Sequence, residues 1–410
     1  MIDFELSPDL EEGRRNIEKQ AFELMRPIAR EYDEKEHEVP WDYVNKIWGA
    51  SKEELSQQLE DLKREGRIRR EKEFYLKQII AAEELSFGDA GLAFRRGRYG
   101  LGGAAIMAVG TQEQKIRFLQ KFAEGGPKWG AMAITEPGAG SDTANITTTA
   151  RLEGDHWVLN GEKIFVTNGK MATKDGDGLV VVWATIDKSA GRGGIKSFVV
   201  EAGTPGMSVT KVENKLGLRC SDTASIVFED CRIPFTNLLG SPEVLDKGKT
   251  TGFKGAMATF DATRPGVAAS AIGVGKAALE FVREVFEQEG VSIRYGASPH
   301  NLSAAEKDFM AMEANLHAAR LLTWRAACFL DSGKPNNLEA SMAKAKAGLA
   351  VTKVTQKAVE LLGPLGYSRK YLVEKWMRDA KINDIFEGTG QINMLIVARR
   401  ILGFSSKQLK

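Results

Sequence analysis

One glutamate stands out by its surroundings. The stretch "IFEGTGQI", Ile385 to Ile392, sets Glu387 among apolar neighbours just before a Gly-Thr-Gly turn. A carboxylate is costly to bury unless it is paired or put to use. Read locally, Glu387 suits either a helix cap next to the turn or chemistry that needs a carboxylate. A second stretch, "AITEPGAGSDTA" (Ala133 to Ala144), has the makings of a binding loop. Pro137, Gly138 and Gly140 force an irregular path. Thr135, Ser141, Asp142 and Thr143 offer short polar groups, and the glycines leave backbone N–H groups free. Such a loop can wrap an anion or the edge of a heterocycle. It can equally be a plain structural turn.

Other chemistries find less support. "DKGKTTG" contains Gly248-Lys249-Thr250, but the first glycine of a P-loop would fall on Glu243. "GVGK" at 273–276 lies inside a helical pattern, where glycines permit close helix packing. A nucleotide cofactor would therefore have to be held in some other way. The four histidines, His37, His156, His300 and His317, never pair at ligand spacing, so no metal site is expected. Cys220, Cys231 and Cys328 read as buried small residues in a reducing compartment. A net charge of +2 makes no electrostatic case for nucleic acid. No apolar run approaches the length of a membrane span, and the first residues show no signal pattern. The expected location is the cytoplasm.

The elements that must position these groups fall into three parts. Residues 1–130 read as an N-terminal α-helical domain. Ile17, Phe22, Leu24, Met25 and Ile28 recur at helical spacing, "KEFYLKQIIAAEELS" repeats the pattern, and Thr111 suits a helix cap. The charged "LKREGRIRREKE" between them is a solvated face or loop, or else a basic patch for phosphate. Residues 131–242 change to short runs rich in Val, Ile, Phe and Thr, separated by Gly, Asn and Asp turns. That is strand-and-turn grammar, closing as a β-barrel or sandwich. Residues 243–410 turn helical again. "RPGVAASAIGVGKAALEFVREVFEQ" places Pro265 near a first turn. It and three further helices are enough for a four-helix bundle. The fold class is α+β, in the order helices, sheet, helices.

Here a resemblance becomes specific. "AITEPGAGSD", "FVTNG", "LGLRCSDTASIVFEDCRIP", "FDATRPGVAASAIG", "EKWMRDAKI" and "IFEGTGQI" occur in the order and spacing of the acyl-CoA dehydrogenase family. The likeness is strong over residues 105–403 and looser before them. It implies FAD held between the β-domain and the bundle, usually across a subunit interface. It implies removal of two hydrogens from an acyl-CoA thioester: a base takes the α-proton, and the β-hydrogen leaves as hydride to the flavin N5. Glu387 stands where most members carry that base, and an apolar site makes a carboxylate more basic. Some members carry it on an earlier helix, at the position that is Thr263 here.

Further roles follow from the same resemblance. Ile134, Thr135, Gly140 and Ser141 match flavin-binding positions, with Ser141 also near the CoA chain. Phe165 and Thr167 match an aromatic beside the flavin and a hydroxyl near N5. Thr389 and Gln391 match groups near the dinucleotide end. Phe260, Asp261, Arg264 and Gly388 match substrate positions, with Arg264 lining the CoA channel as a partner for phosphate. Arg219 and Asp222 are expected to form a structural ion pair. The family further implies electron-transferring flavoprotein as acceptor and a homo-oligomer, dimer or tetramer.

Departures concentrate where a neighbouring subunit would hold the FAD. Arg294 with Tyr295-Gly296 is a distorted echo of Arg then Phe-Gly. Ser303 replaces one Gln and Glu360 another, and Pro364 replaces a glycine. "REGRIRREKEF" stands where a Pro-Glu-x-Tyr-Gly-Gly loop is usual. The alternative reading is one subunit of a mixed oligomer that supplies half of each FAD site.

Overall fold

The computed structural model describes residues 5–244 and 252–405, with Gln408. The rejected Gly248-Lys249-Thr250 stretch lies outside the described residues. Six helices come first: α1 (Pro8–Leu24), α2 (Ala29–Glu34), α3 (Trp41–Glu65), α4 (Phe74–Phe94), α5 (Gly100–Val109) and α6 (Gln112–Ala123). Thr111 caps α6. Its hydroxyl accepts from Gln114 N while the Gln114 side chain accepts from Thr111 N, so two orphan donors are satisfied reciprocally. The charged segment leaves α3 at Gly66, which takes a left-handed φ of 70°. Most of it is exposed, as a solvated loop should be.

Seven strands follow: β1 (Gly130–Ala133), β2 (Thr149–Glu153), β3 (His156–Thr167), β4 (Leu179–Thr185), β5 (Ile195–Glu201), β6 (Met207–Val212) and β7 (Thr223–Pro234). They form one sheet in the order β1-β4-β2-β3-β7-β6, with β5 also on β4. Every residue of β4 is buried. Val180 and Val182 enter one hydrophobic cluster, and Val181 and Trp183 enter another. A strand covered on both faces reads as a continuous apolar run, which "LVVVWAT" is. The sheet curls enough for Trp157 of β3 to meet Phe198 of β5 edge-on, 5.4 Å between ring centres.

The C-terminal part holds α7 (Gly252–Gln288), α8 (Ala304–Asp331), α9 (Asn337–Leu362), α10 (Pro364–Tyr367), α11 (Val373–Ala380) and α12 (Gly390–Leu402). Helices α7, α8 and α9 share a core rich in alanine, including Ala271, Ala278, Ala319 and Ala347. A side chain at Gly273 would collide with the Glu83 backbone of α4, so "GVGK" does serve close packing. The span Gly255–Gln288 is long and apolar enough to cross a membrane, contrary to the expectation, but 83% of its most apolar window is buried in protein.

Three expectations need correction here. Pro265 sits inside α7, not at its first turn. A proline there withholds the N–H that the Asp261 carbonyl would accept, and Asn336 Nδ2 supplies a donor at 3.2 Å. Arg219 does not pair with Asp222. Asp222 binds Arg95 at 2.6 Å, both buried, while Arg219 reaches Glu36 at 3.1 Å. Of the cysteines, Cys220 and Cys231 are buried but Cys328 is exposed.

Candidate active site

Glu387 lies in the turn between α11 and α12. The cap of α12 is Thr389, whose hydroxyl accepts from Ile392 N at 3.2 Å. That leaves Glu387 free of the capping role. Its side chain points to α7, where the Thr263 hydroxyl donates to Oε2 at 2.7 Å. The residue keeps some accessible surface. Even so, loss of hydration raises its carboxyl pKa, opposed in turn by Thr263, Lys344 and Arg264.

The backbone of this turn is strained. Glu387 takes φ 52° and Gly388 φ 97°. A left-handed conformation costs a non-glycine residue roughly 1–2 kcal/mol, and such costs persist where surrounding groups enforce them. Three side chains do so. Arg264 Nε donates to Glu387 O at 3.3 Å. Asn393 Nδ2 donates to Gly388 O at 2.8 Å and Thr389 O at 3.0 Å. Lys344 Nζ donates to Asn383 O at 2.6 Å and Gly388 O at 3.2 Å. Among the described residues, no group accepts from the Glu387 N–H.

Arg264 ties α7 to this turn. It is buried, and Nη1 binds Asp261 at 2.8 Å. Asp261 also accepts from Asn337 Nδ2 at 2.8 Å. Arg264 thus braces the glutamate turn from α7. Phe260, one residue before Asp261, is buried in the cluster that reaches the sheet.

A second group of residues gathers on the β-domain. Ile164 N donates to Thr135 O at 2.9 Å, tying the 133–144 loop to β3. The register of β3 against β7 shifts between Lys163 and Val166. Such a bulge re-aims a side chain. Here it leaves Phe165 60% exposed with φ 55°. Its ring is left facing solvent, on a backbone conformation that a strand residue rarely adopts. The hydroxyls of Thr135, Ser141 and Thr167 bond to no protein group among the described residues, and a side chain at Gly138 or Gly140 would meet open space. An aromatic face, free hydroxyls and an open glycine loop fit a flat heterocycle that carries polar edges.

Phe94, which the sequence did not suggest, joins the two groups. Its carbonyl accepts from Asn168 Nδ2 at 3.0 Å, at the end of the Phe165–Thr167 strand. Its ring meets Phe386 edge-on at 6.3 Å. Inside the loop, Glu136 is buried against Lys163 at 2.7 Å and accepts from Thr147 and Thr148, so it is a brace.

The remaining predicted positions stand apart. Arg294, beyond α7, is committed to Glu306 at 2.7 Å and Asn301 O at 2.8 Å. Ser303 caps α8 in a reciprocal box with Glu306. Glu360 is exposed and pairs with Lys357 at 2.8 Å. Gln391 is exposed on α12. Among the described residues, no hydrogen bond joins Arg294 or Gln391 to Phe165 or Thr167.

Comparison with known proteins supplies the identity. The acyl-CoA dehydrogenase N-terminal, middle and C-terminal domain families match residues 7–126, 131–231 and 250–402. The mitochondrial short-chain specific acyl-CoA dehydrogenase of Bos taurus is 39% identical over 389 residues, 94% of this chain and 87% of that protein. Butyryl-CoA dehydrogenase from Megasphaera elsdenii superposes with TM-score 0.80 at 33% identity, over 98% of this chain and all of the other. A chain solved in work on the electron transferring flavoprotein of Acidaminococcus fermentans gives TM-score 0.82 at 34% identity, with the same coverage. The chain belongs to the acyl-CoA dehydrogenase family. It is an FAD-dependent oxidoreductase that dehydrogenates an acyl-CoA.

Proposed function

We propose that this chain converts a short acyl-CoA thioester to the trans-2-enoyl-CoA, with Glu387 taking the α-proton. The observation that carries the reading is the Glu387 carboxylate itself: partly accessible, raised in pKa by burial, and held in a strained turn by three helices. A positioned base is worth about 10²–10⁴-fold. The Glu387 N–H, which no group among the described residues accepts from, would donate to the thioester oxygen, where charge builds as the α-proton leaves. FAD, when bound, takes up the hydride from the β-carbon. Phe165 would stack on the cofactor ring, Thr167 would donate near it, and Ile134 to Ser141 would line its edge. Thr389 and Gln391 belong to the dinucleotide end, and Arg294 to the FAD of a neighbouring subunit.

The short acyl group and electron-transferring flavoprotein as acceptor are proposed from the company this chain keeps in the comparisons. A homo-oligomer is supported by the exposed apolar residues Met394, Ile401, Leu402 and Phe404 at the C-terminal end. Free cysteines suit a reducing cytoplasm. The experiment is anaerobic titration of the purified single chain with acyl-CoA thioesters of graded length. Bleaching of the flavin by short thioesters supports the proposal, as does about one FAD per chain. A colourless protein would instead favour a mixed oligomer.

A further inference from the structure

Lys344 is a lysine in an unusual place. It lies on α9, 1% exposed, and no carboxylate touches it among the described residues. Among the described residues its ammonium bonds only to two carbonyls at the glutamate turn, Asn383 O and Gly388 O, and it lies 5.9 Å from the centre of the Phe386 ring. A buried cation without a contacting anion is expensive. If the site needed only a donor to two carbonyls, a neutral amide would serve at lower cost. The charge must therefore have a use.

What the charge faces is specific. Glu387 and Asp384 from the turn attract it, and Arg264 from α7 repels it. Among the described residues, no charged group of α8, α11 or α12 adds to these. We propose that Lys344 is a positioning residue for Glu387: it clamps the left-handed Glu387–Gly388 turn through two carbonyls and supplies the positive charge that keeps the Glu387 carboxylate ionised. Asn393 grips the same Gly388 carbonyl without charge, so the two side chains divide the work. Burial pulls Lys344 down to about 8, against the attraction of Glu387 and Asp384. The clamp therefore begins to discharge in mildly alkaline solution. The inference rests on Glu387 acting as the base, but its test does not.

The test reads the Glu387 carboxylate directly in the FAD-loaded enzyme. Infrared spectra of protein labelled with 13C-glutamate, minus those of Glu387→Gln, isolate its band. In the wild type that band should titrate with acid and shift again as Lys344 discharges near pH 8. In Lys344→Gln, which keeps a donor but loses the charge, the acid titration should move to higher pH and the alkaline shift should vanish. Flavin reduction should lose about ten-fold on the acid side and recover as pH rises. Lys344→Met, lacking donor and charge, should reduce flavin slowly at every pH. An acid titration of Glu387 unmoved in Lys344→Gln would overturn the proposal. So would a Glu387 band in Lys344→Arg, which keeps the charge, that moves as far as it does in Lys344→Gln. If the band moves but the rate profile does not, the Lys344 coupling stands and Glu387 is not the base.

Discussion

The Thr263 hydroxyl donates to Glu387 Oε2 at 2.7 Å, joining α7 to the turn before α12 across 124 positions of sequence. The pairing has a chemical consequence. A hydrogen bond to the ionised carboxylate favours that form, so it opposes the rise that burial imposes on Glu387. Thr263→Val should remove the bond while keeping the shape. The Glu387 pKa then rises further, and the acid limb of flavin reduction should move to higher pH. Above that limb, the rate should stay within a few-fold of wild type. A pH–rate profile of the variant checks both statements, and an unmoved acid limb contradicts them.

Phe165 makes a prediction in which stability and binding part company. It is exposed and strained, so on the proposed reading its conformation serves the cofactor and not the fold. Phe165→Gly accepts the positive φ freely and should leave the melting temperature of the FAD-free protein unchanged or slightly higher. FAD should bind more weakly. Thr167→Ala should weaken it by roughly 0.5–1.5 kcal/mol, the worth of a neutral hydrogen bond. Calorimetry of the FAD-free form, with FAD titration, separates the two effects.

Lys375 holds the helical parts together. Its ammonium meets Asp89 of α4 at 2.5 Å and Asp379 at 2.6 Å, all three buried. Removing one partner of a buried pair strands the other charges and costs about 3–5 kcal/mol. Lys375→Met should therefore lower stability strongly, measured by denaturant unfolding. Adding Asp89→Asn and Asp379→Asn should recover part of that loss, since no bare charge remains.

Glu360 stands where the family resemblance puts a glutamine beside the FAD of a neighbouring subunit, and a carboxylate there would repel a diphosphate. Its pairing with Lys357 on an exposed face largely cancels that charge, and exposed pairs are worth about 0–1 kcal/mol. Glu360→Gln should leave FAD affinity within about two-fold. A marked tightening would place this position on the cofactor path.

The legible features were those whose signals are local. Thr111 and Gln114 sit three apart and form the capping box that their spacing predicts. The apolar "LVVVWAT" run became a strand buried on both faces. Glu387 was visible because a charge among apolar residues is conspicuous. Lys344 was not, because "AKAKAG" offers two lysines two residues apart. Only the packing buries one and leaves the other partly accessible. The Arg219–Asp222 expectation failed for a related reason. Nearness in sequence suggested the pair, whereas the partner of Asp222 is Arg95, 127 positions away. Pro265 looked like a helix start because its compensating donor, Asn336, belongs to a segment about seventy residues later.

The central claim is that Glu387 is the base, and Glu387→Gln tests it most directly. The amide keeps the size and can still accept from Thr263, but it cannot take a proton. The variant should fold, bind FAD as the wild type does, and reduce its flavin with the best thioester about 10²–10⁴-fold more slowly. Flavin reduction within a few-fold of wild type, at full FAD content, would contradict the account.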